Sequence, residues 1–406
     1  MTSLLTTRTA HRGIPGWARR VTTFLTRQAH PETGAYSSVP GGMVTLYGTA
    51  YGLLARHYLG EQVAVTPGLR RFLTGCQDAG SGYFVGPELR DWAPPSDSAH
   101  DREHLLLHLA CAVLPVMQEF GIAVPHALRF AHRFCDPAYL AAWLAQRDMK
   151  DAWLEGNNLL FVGQLLVYLR DVEGHRGANQ ALAQWFAWLD DTVDTTTGLW
   201  GTRDGVCSPF AAMCGGYHQL LIYYHEDRPL QSPERLVDTV LRLQHPDGGF
   251  SPSGGGGACE DVDAIDILVN AYKRFDYRRA DIRATLRRAT TAILALQNPD
   301  GGFPYKRDTV QHHMGIPATR AAANVSTLFA TWFRVHTLAL LAEVLTDDSR
   351  LRLPFRFNRF LSMGWHRPWH HEEHLVDLPA RARELRPAVR FRARIMKHWI
   401  RRLTAS

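Results

Sequence analysis

The sequence predicts an all-α fold, an (α/α)6 toroid of six helix pairs, and three observations predict it. A turn signature recurs six times in the 406 residues, each time as a helix end, a polar turn and a closing aromatic. The closing aromatics are Tyr36, Phe84, Trp153, Trp200, Phe250 and Phe303, and they lie 48, 69, 47, 50 and 53 residues apart. That period holds two helices and two turns. The helical segments between tips also come in two kinds, one nearly all apolar and one amphipathic. No such unit buries its apolar face alone, so six pairs close into a double ring.

Each element follows from its own pattern. Outer helices are expected at about 15–29, 64–77, 138–147, 177–191, 233–244 and 281–297, where charge alternates with apolar residues as in DIRATLRRATTAIL. Inner helices are expected at about 43–57, 100–116, 157–170, 211–225, 261–275 and 324–345. LLFVGQLLVYL at 159–169 is apolar all round, as a helix covered by an outer ring and facing a central cavity should be. Pro246 and Pro299 stop the helices before them, and Gly248-Gly249 and Gly301-Gly302 provide positive φ at the turn. Phe250 and Phe303 then fold back as wedges between repeats. The long second interval contains GPELRDWAPPSDSAHD at 86–101, read as an insertion at one rim, and 251–260 and 305–324 should cover the same rim.

Composition bounds the function classes. A toroid over 1–349 is followed by a basic, aromatic-rich extension over 350–406. Residues 376–406 hold nine Arg or Lys against Asp377 and Glu384, a net +7, while the whole chain is +6, which leaves the body near −1. With the charge confined to the tail and no basic stripe in the body, nucleic-acid binding is not implied. The tail's mix of Arg with Trp, Phe, Ile and Leu suits either an anionic membrane surface or the outside of the toroid. The longest apolar stretch, 105–117, is too short to span a bilayer. No apolar signal segment is seen at the N-terminus. Six cysteines with no CxxC pair point to reduced thiols and a cytoplasmic protein, peripheral at the membrane if the tail binds there.

The chemistry should sit where the six inner helices begin, since their first turns converge on one mouth. The densest piece is Gly254–Leu268, which carries Asp261, Asp263 and Asp266. Asp261 and Asp263 splay by about 200° on a helix, so one faces the cavity and the other caps the helix. Asp266 shares a face with Asp263, and carboxyls that close raise one pKa and keep an acid protonated. His100, His104, Glu155, Asn158, His218, Trp332 and Arg334 are expected around them as substrate-binding groups. No cofactor is called for. The nearest approach to a metal set is Cys259 and Asp261 with His218, His312 or His313, which would suit Zn²⁺, and the acids could attract Mg²⁺.

The Q-x-x-D-G-G-F tips at Gln244–Phe250 and Gln297–Phe303 resemble the repeat of squalene cyclases and protein prenyltransferase β-subunits. The resemblance covers about 15–345 and implies an α/α toroid with an isoprenoid-sized apolar cavity. It also implies a comparison with the D-x-D-D acid motif of protonation-initiated terpene cyclases. Here the segment reads Asp261-Val262-Asp263-Ala264, with Asp263 at the acid position and Ala264 where the last Asp would stand. The prenyltransferase zinc motif D-x-C is reversed, as Cys259-Glu260-Asp261. The function expected is terpene-cyclase-like or prenyl-processing chemistry on an isoprenoid, begun by acid. The alternatives are a carbohydrate-active toroid using Glu155 with Asp263, and a binding scaffold without catalysis.

Overall fold

The computed structural model describes residues 14–364, and the expectation for 376–406 lies outside them. The described residues hold thirteen α-helices and one two-residue hairpin, β1 (Tyr36–Ser37) with β2 (Val44–Thr45). The outer helices are α1 (Gly16–Gln28), α3 (Pro67–Gly75), α6 (Pro137–Ala145), α8 (Ala178–Thr192), α10 (Pro233–Arg242) and α12 (Arg279–Ala295). The inner ones are α2 (Leu46–Tyr58), α5 (Arg102–Glu119), α7 (Ala152–Asp171), α9 (Pro209–His225), α11 (Ala258–Arg274) and α13 (Leu328–Ala342). A single turn, α4 (Pro87–Arg90), sits in the insertion.

Helix starts are set by short polar side chains and proline. Thr45, Thr66, Asp101, Asp136, Asp151, Ser208 and Thr327 accept N–H bonds as N-caps. Pro67, Pro137, Pro209 and Pro233 begin helices, where their missing N–H is of no consequence. The sequence-derived ranges agree with these helices to within a few residues, except that Asn324 lies in a turn and α13 begins only at Leu328.

The inner helices pack as a closed ring: α2 on α5, α5 on α7, α7 on α9, α9 on α11, α11 on α13, and α13 back on α2. Their N-terminal halves meet their neighbours' N-terminal halves, so all six start at one rim. Tyr47 reaches Leu105, and His104 reaches Asn158. Gly156 of α7 lies against Gly215 of α9. A Cβ on Gly215 would come within 1.9 Å of the Ala152 carbonyl, so this crossing needs glycine. The outer helices bury one face only, for example Leu236, Val237 and Val240 on α10.

The tips are clasps. The Gln244 amide donates to Gly248 O in its own turn and to Thr285 O on α12, the next outer helix. Gln297 does the same to Gly301 O and to Trp17 O of α1, which joins the last repeat to the first. Gln77 matches them with Gly82 O and His126 O. Tyr36, Phe84, Trp200, Phe250 and Phe303 are buried as expected of wedges. Trp153 is not one of them. It stands in the first turn of α7, partly exposed and edge-on to Phe210. The third tip is instead a short 3-10 turn at Met149–Asp151.

The insertion brings an unforeseen carboxylate inward. Glu88 accepts the backbone N–H groups of Leu46 and Tyr47 and so caps α2 from another segment. Beyond residue 350 the chain continues over the toroid, with Leu361 and Met363 buried and Gly364 O accepting from the Tyr58 hydroxyl. All six cysteines are unpaired. Among the described residues no helix is long and apolar enough to cross a membrane.

Candidate active site

The acidic cluster lies where glycines let the chain fold tightly onto α11. Gly254, Gly255 and Gly256 take φ of 69°, 77° and 74°, a run that side-chain-bearing residues rarely adopt. The three aspartates that follow have separate fates.

Asp261 is a structural clasp. Its Oδ1 accepts the Phe250 N–H at 2.8 Å, and its other oxygen pairs with the Arg334 guanidinium of α13. The first and sixth repeats use threonine at the equivalent place: Thr49 accepts from Tyr36 N–H, and Thr331 accepts from Phe303 N–H, each at 3.0 Å. Of the two splayed acids, Asp261 is therefore the one that binds backbone.

Asp263 faces the ring interior. It is 1% exposed, no cation pairs with it, and its Oδ2 has no hydrogen-bond partner. Burial drives its pKa well above the usual carboxylate range, and the charge of Glu260 adds to this, while the Cys214 thiol works against it. Asp266 is fully buried, accepts from Asn270 Nδ2 at 2.9 Å, and has its pKa pushed by burial up to about 8. In both, burial favours the protonated form. Glu260, which sequence reasoning passed over, joins them: it is buried, its pKa is raised by burial, and its Oε2 accepts from Tyr305 at 2.7 Å.

Aromatic rings pack among the inner helices. Trp332 stacks on Tyr51 at 4.7 Å and Tyr58 on His336 at 5.2 Å, with Phe329 and Phe333 edge-on to each other. Tyr217 comes close to Asp263 and Asp266, and its hydroxyl has no partner. Trp332 was expected at the mouth but lies in the second turn of α13, packed in the core. Arg334 was expected to bind substrate, but it is fully buried on Asp261 and on Tyr305 O.

The histidines form a neutral wall. His104 Nδ1 is 2.9 Å from Asn158 Oδ1, His108 Nδ1 is 3.0 Å from the Tyr47 hydroxyl, and His313 Nε2 is 3.2 Å from the Tyr51 hydroxyl. Burial lowers the pKa of His104 to about 4 and of His313 to about 3. His100 stands half-buried at the outer end, 4.9 Å from the His104 ring. His313 reaches this wall from the 305–324 segment, which plugs the rim. His218 is buried on α9 with Nδ1 unpartnered, and burial lowers its pKa to about 4.

Two sets of candidate residues are placed apart from the roles considered for them. The zinc candidates are not assembled: Asp261 is taken by Arg334, and Cys259 lies 3.7 Å from the Tyr305 hydroxyl. His312 points outward while its neighbour His313 is buried. Among the described residues no three His, Cys, Asp or Glu side chains are grouped to hold a metal. Glu155 is also not free at the mouth, since it is paired with Arg147 at 2.8 Å and accepts from Asn158. The mouth itself is closed. Tyr47, Asp263, Asp266 and Trp332 have almost no accessible surface. Lys306 ties the 305 segment to Ser251 and Ser253, and Arg307 N–H donates to Gly255 O.

No family model matches the sequence, and no curated protein does. Solved structures are similar to it at low identity. The type II terpene cyclase MstE from Scytonema, in complex with geranylgeranyl dihydroxybenzoate, is 14% identical with a TM-score of 0.48, over 81% of this chain and 97% of that one. A polysaccharide lyase is 15% identical with a TM-score of 0.44, over 83% of this chain and 96% of that one. A glycosyl hydrolase family 88 protein from Bacteroides vulgatus is 12% identical with a TM-score of 0.41, over 83% and 97%. At these identities none of them bears on this chain's substrate.

Proposed function

We propose that the protein is an enzyme that starts carbocation chemistry on an isoprenoid by protonating it from Asp263. One observation carries the reading: a fully buried carboxyl with no cation partner and a free Oδ2, close to the unpartnered Tyr217 hydroxyl. Burial favours the protonated carboxyl, so Asp263 holds a proton that it can pass to an alkene placed against it. The Asp263 proton adds to one alkene carbon, the π pair forms the new C–H bond, and the other carbon becomes cationic. The faces of Trp332, Tyr51 and Tyr217 offer the negative quadrupole that such a cation seeks. A later proton loss would be accepted by a neutral imidazole such as His108 or His313. Once ionised, Asp266 would raise the Asp263 pKa further and so tune it.

The carbohydrate reading is weaker on geometry, because Glu155, the second carboxylate it would use, is already neutralised by Arg147. The test is incubation of the purified protein with linear polyprenyl substrates and analysis for cyclised products. Undiminished turnover by Asp263→Asn would sink the assignment. The basic segment 376–406 is the part of the chain that would bring such an enzyme to an anionic membrane, and liposome flotation with and without it tests that.

A further inference from the structure

We propose that Glu260 resupplies the proton that Asp263 gives away, and that Tyr305 links Glu260 to solvent. The inference rests on the acid role of Asp263. Each turnover would leave Asp263 as a carboxylate in a place that water does not reach. An acid used catalytically must regain its proton, so a route from the surface is needed.

Position singles out Glu260. It lies three residues before Asp263 on α11, one helical turn away on the same face. The Glu260 carboxyl is near enough to Asp263 to influence its ionisation. The Tyr305 hydroxyl donates to Glu260 Oε2 at 2.7 Å, and the Cys259 thiol points at the Tyr305 oxygen from 3.7 Å. Tyr305 is half-buried, and the chain after it runs out through Lys306 to exposed Asp308. The other groups facing Asp263 lead nowhere outward. Cys214 comes from α9 with a thiol that burial holds firmly protonated. Asp266 is bound to Asn270 deeper in the ring, and Arg334 is committed to Asp261.

The transfer balances. The Glu260 carboxyl gives its proton to the Asp263 carboxylate, regains one from the Tyr305 hydroxyl, and the phenol oxygen takes one from water. Only O–H bonds are made and broken, and one solvent proton enters per turnover. Burial also favours a protonated Glu260 at rest.

The test needs no substrate. Infrared difference spectra of wild type against Asp263→Asn identify the carbonyl stretch of the Asp263 acid. Its hydrogen–deuterium exchange is then timed after transfer to heavy water. Glu260→Gln, which still accepts from Tyr305, should slow that exchange by roughly tenfold or more. Tyr305→Phe should slow it less, and Glu260→Asp should restore part of the rate. Melting temperature and circular dichroism confirm that each variant is folded, and Tyr305→Phe carries the test if Glu260→Gln is not. An Asp263 band that exchanges at the wild-type rate in folded Glu260→Gln and Tyr305→Phe overturns the relay and leaves the acid in place. If Asp263→Asn removes no protonated-acid band, the acid reading falls and the relay falls with it.

Discussion

The fifth and sixth repeats share one tip and diverge one turn into their inner helices. Both tips read Gln, a polar residue, then Pro-Asp-Gly-Gly-Phe, and both clasp the next outer helix through the glutamine amide. In both, the closing Phe N–H is received by the fourth residue of the inner helix, Asp261 in α11 and Thr331 in α13. Two residues further the pair is Asp263 and Phe333, and three beyond that it is Asp266 and His336. The scaffold is therefore held by one device, and the chemistry is a matter of what the later positions carry. A repeat protein can place an acid at one station of a ring without altering the ring.

The comparison breaks most sharply at Asp263. If this position is where the fifth repeat acquires chemistry, Asp263→Asn should lower turnover of a polyprenyl substrate by at least about 10²-fold, the scale of a lost general acid. Its melting temperature should not fall, since burial favours the uncharged form that the amide mimics. Full turnover, or a loss explained by unfolding, would make Asp263 one more core residue like Phe333.

Asp261 should behave in the opposite way, as structure. Asp261→Ala leaves Arg334 buried and unpaired, and should cost about 3–5 kcal/mol in urea denaturation. Asp261→Thr combined with Arg334→Met copies the sixth repeat's arrangement and should recover most of that loss, because the threonine hydroxyl can take the Phe250 N–H as Thr331 takes that of Phe303. A double variant as unstable as Asp261→Ala would mean that the ion pair does more than substitute for threonine.

Much of this was legible in the sequence, for reasons that differ by residue. Helix ends and tips depend on neighbours in the chain, so the 3.6-residue period and the Pro-Asp-Gly-Gly turn located them closely. The roles of the acids depend on distant partners. The spacing of Asp261 and Asp263 says that one faces inward, but only Arg334, 73 residues away, decides which. Glu260 gave no sign of its place because its partner, Tyr305, is 45 residues on, in a segment with no period to place it. Trp153 misled because a helical first turn can supply an aromatic at the right interval without a clasp.

Acidity separates the two repeats next, and pH should show it. Asp266 has its pKa raised to about 8 from 3.8, so the folded state holds a proton there that the unfolded chain gives up. Its contribution is complete below about pH 4 and is lost as pH rises toward 8. His336, the sixth repeat's counterpart, has its pKa lowered by burial to about 3, so its contribution is lost as pH falls below about 6.5. Other buried histidines, His104, His218 and His313, act in the same direction. Stability against urea should therefore peak near pH 6.5 and decline toward pH 8. Asp266→Asn should flatten the alkaline limb and leave the acid limb unchanged. An alkaline limb that Asp266→Asn does not alter would show that this carboxyl is ionised in the fold.

The smallest effect tests the part the two repeats share. Each tip glutamine makes two bonds to backbone carbonyls, so Gln244→Ala and Gln297→Ala should each cost about 1–3 kcal/mol. Their distribution should differ. Gln244 joins segments 41 residues apart within the ring's middle, whereas Gln297 reaches Trp17 O across 280 residues and closes the seam. Losing Gln297 should thus speed amide exchange in α1, which the seam holds against the last outer helix, while Gln244→Ala should leave α1 protected. Equal protection of α1 in both variants would mean that the seam is held by the buried faces of Val21, Phe24 and Leu25 and not by the clasp. In that case the glutamine is a local turn device, and closure of the ring belongs to the packing of α13 on α2.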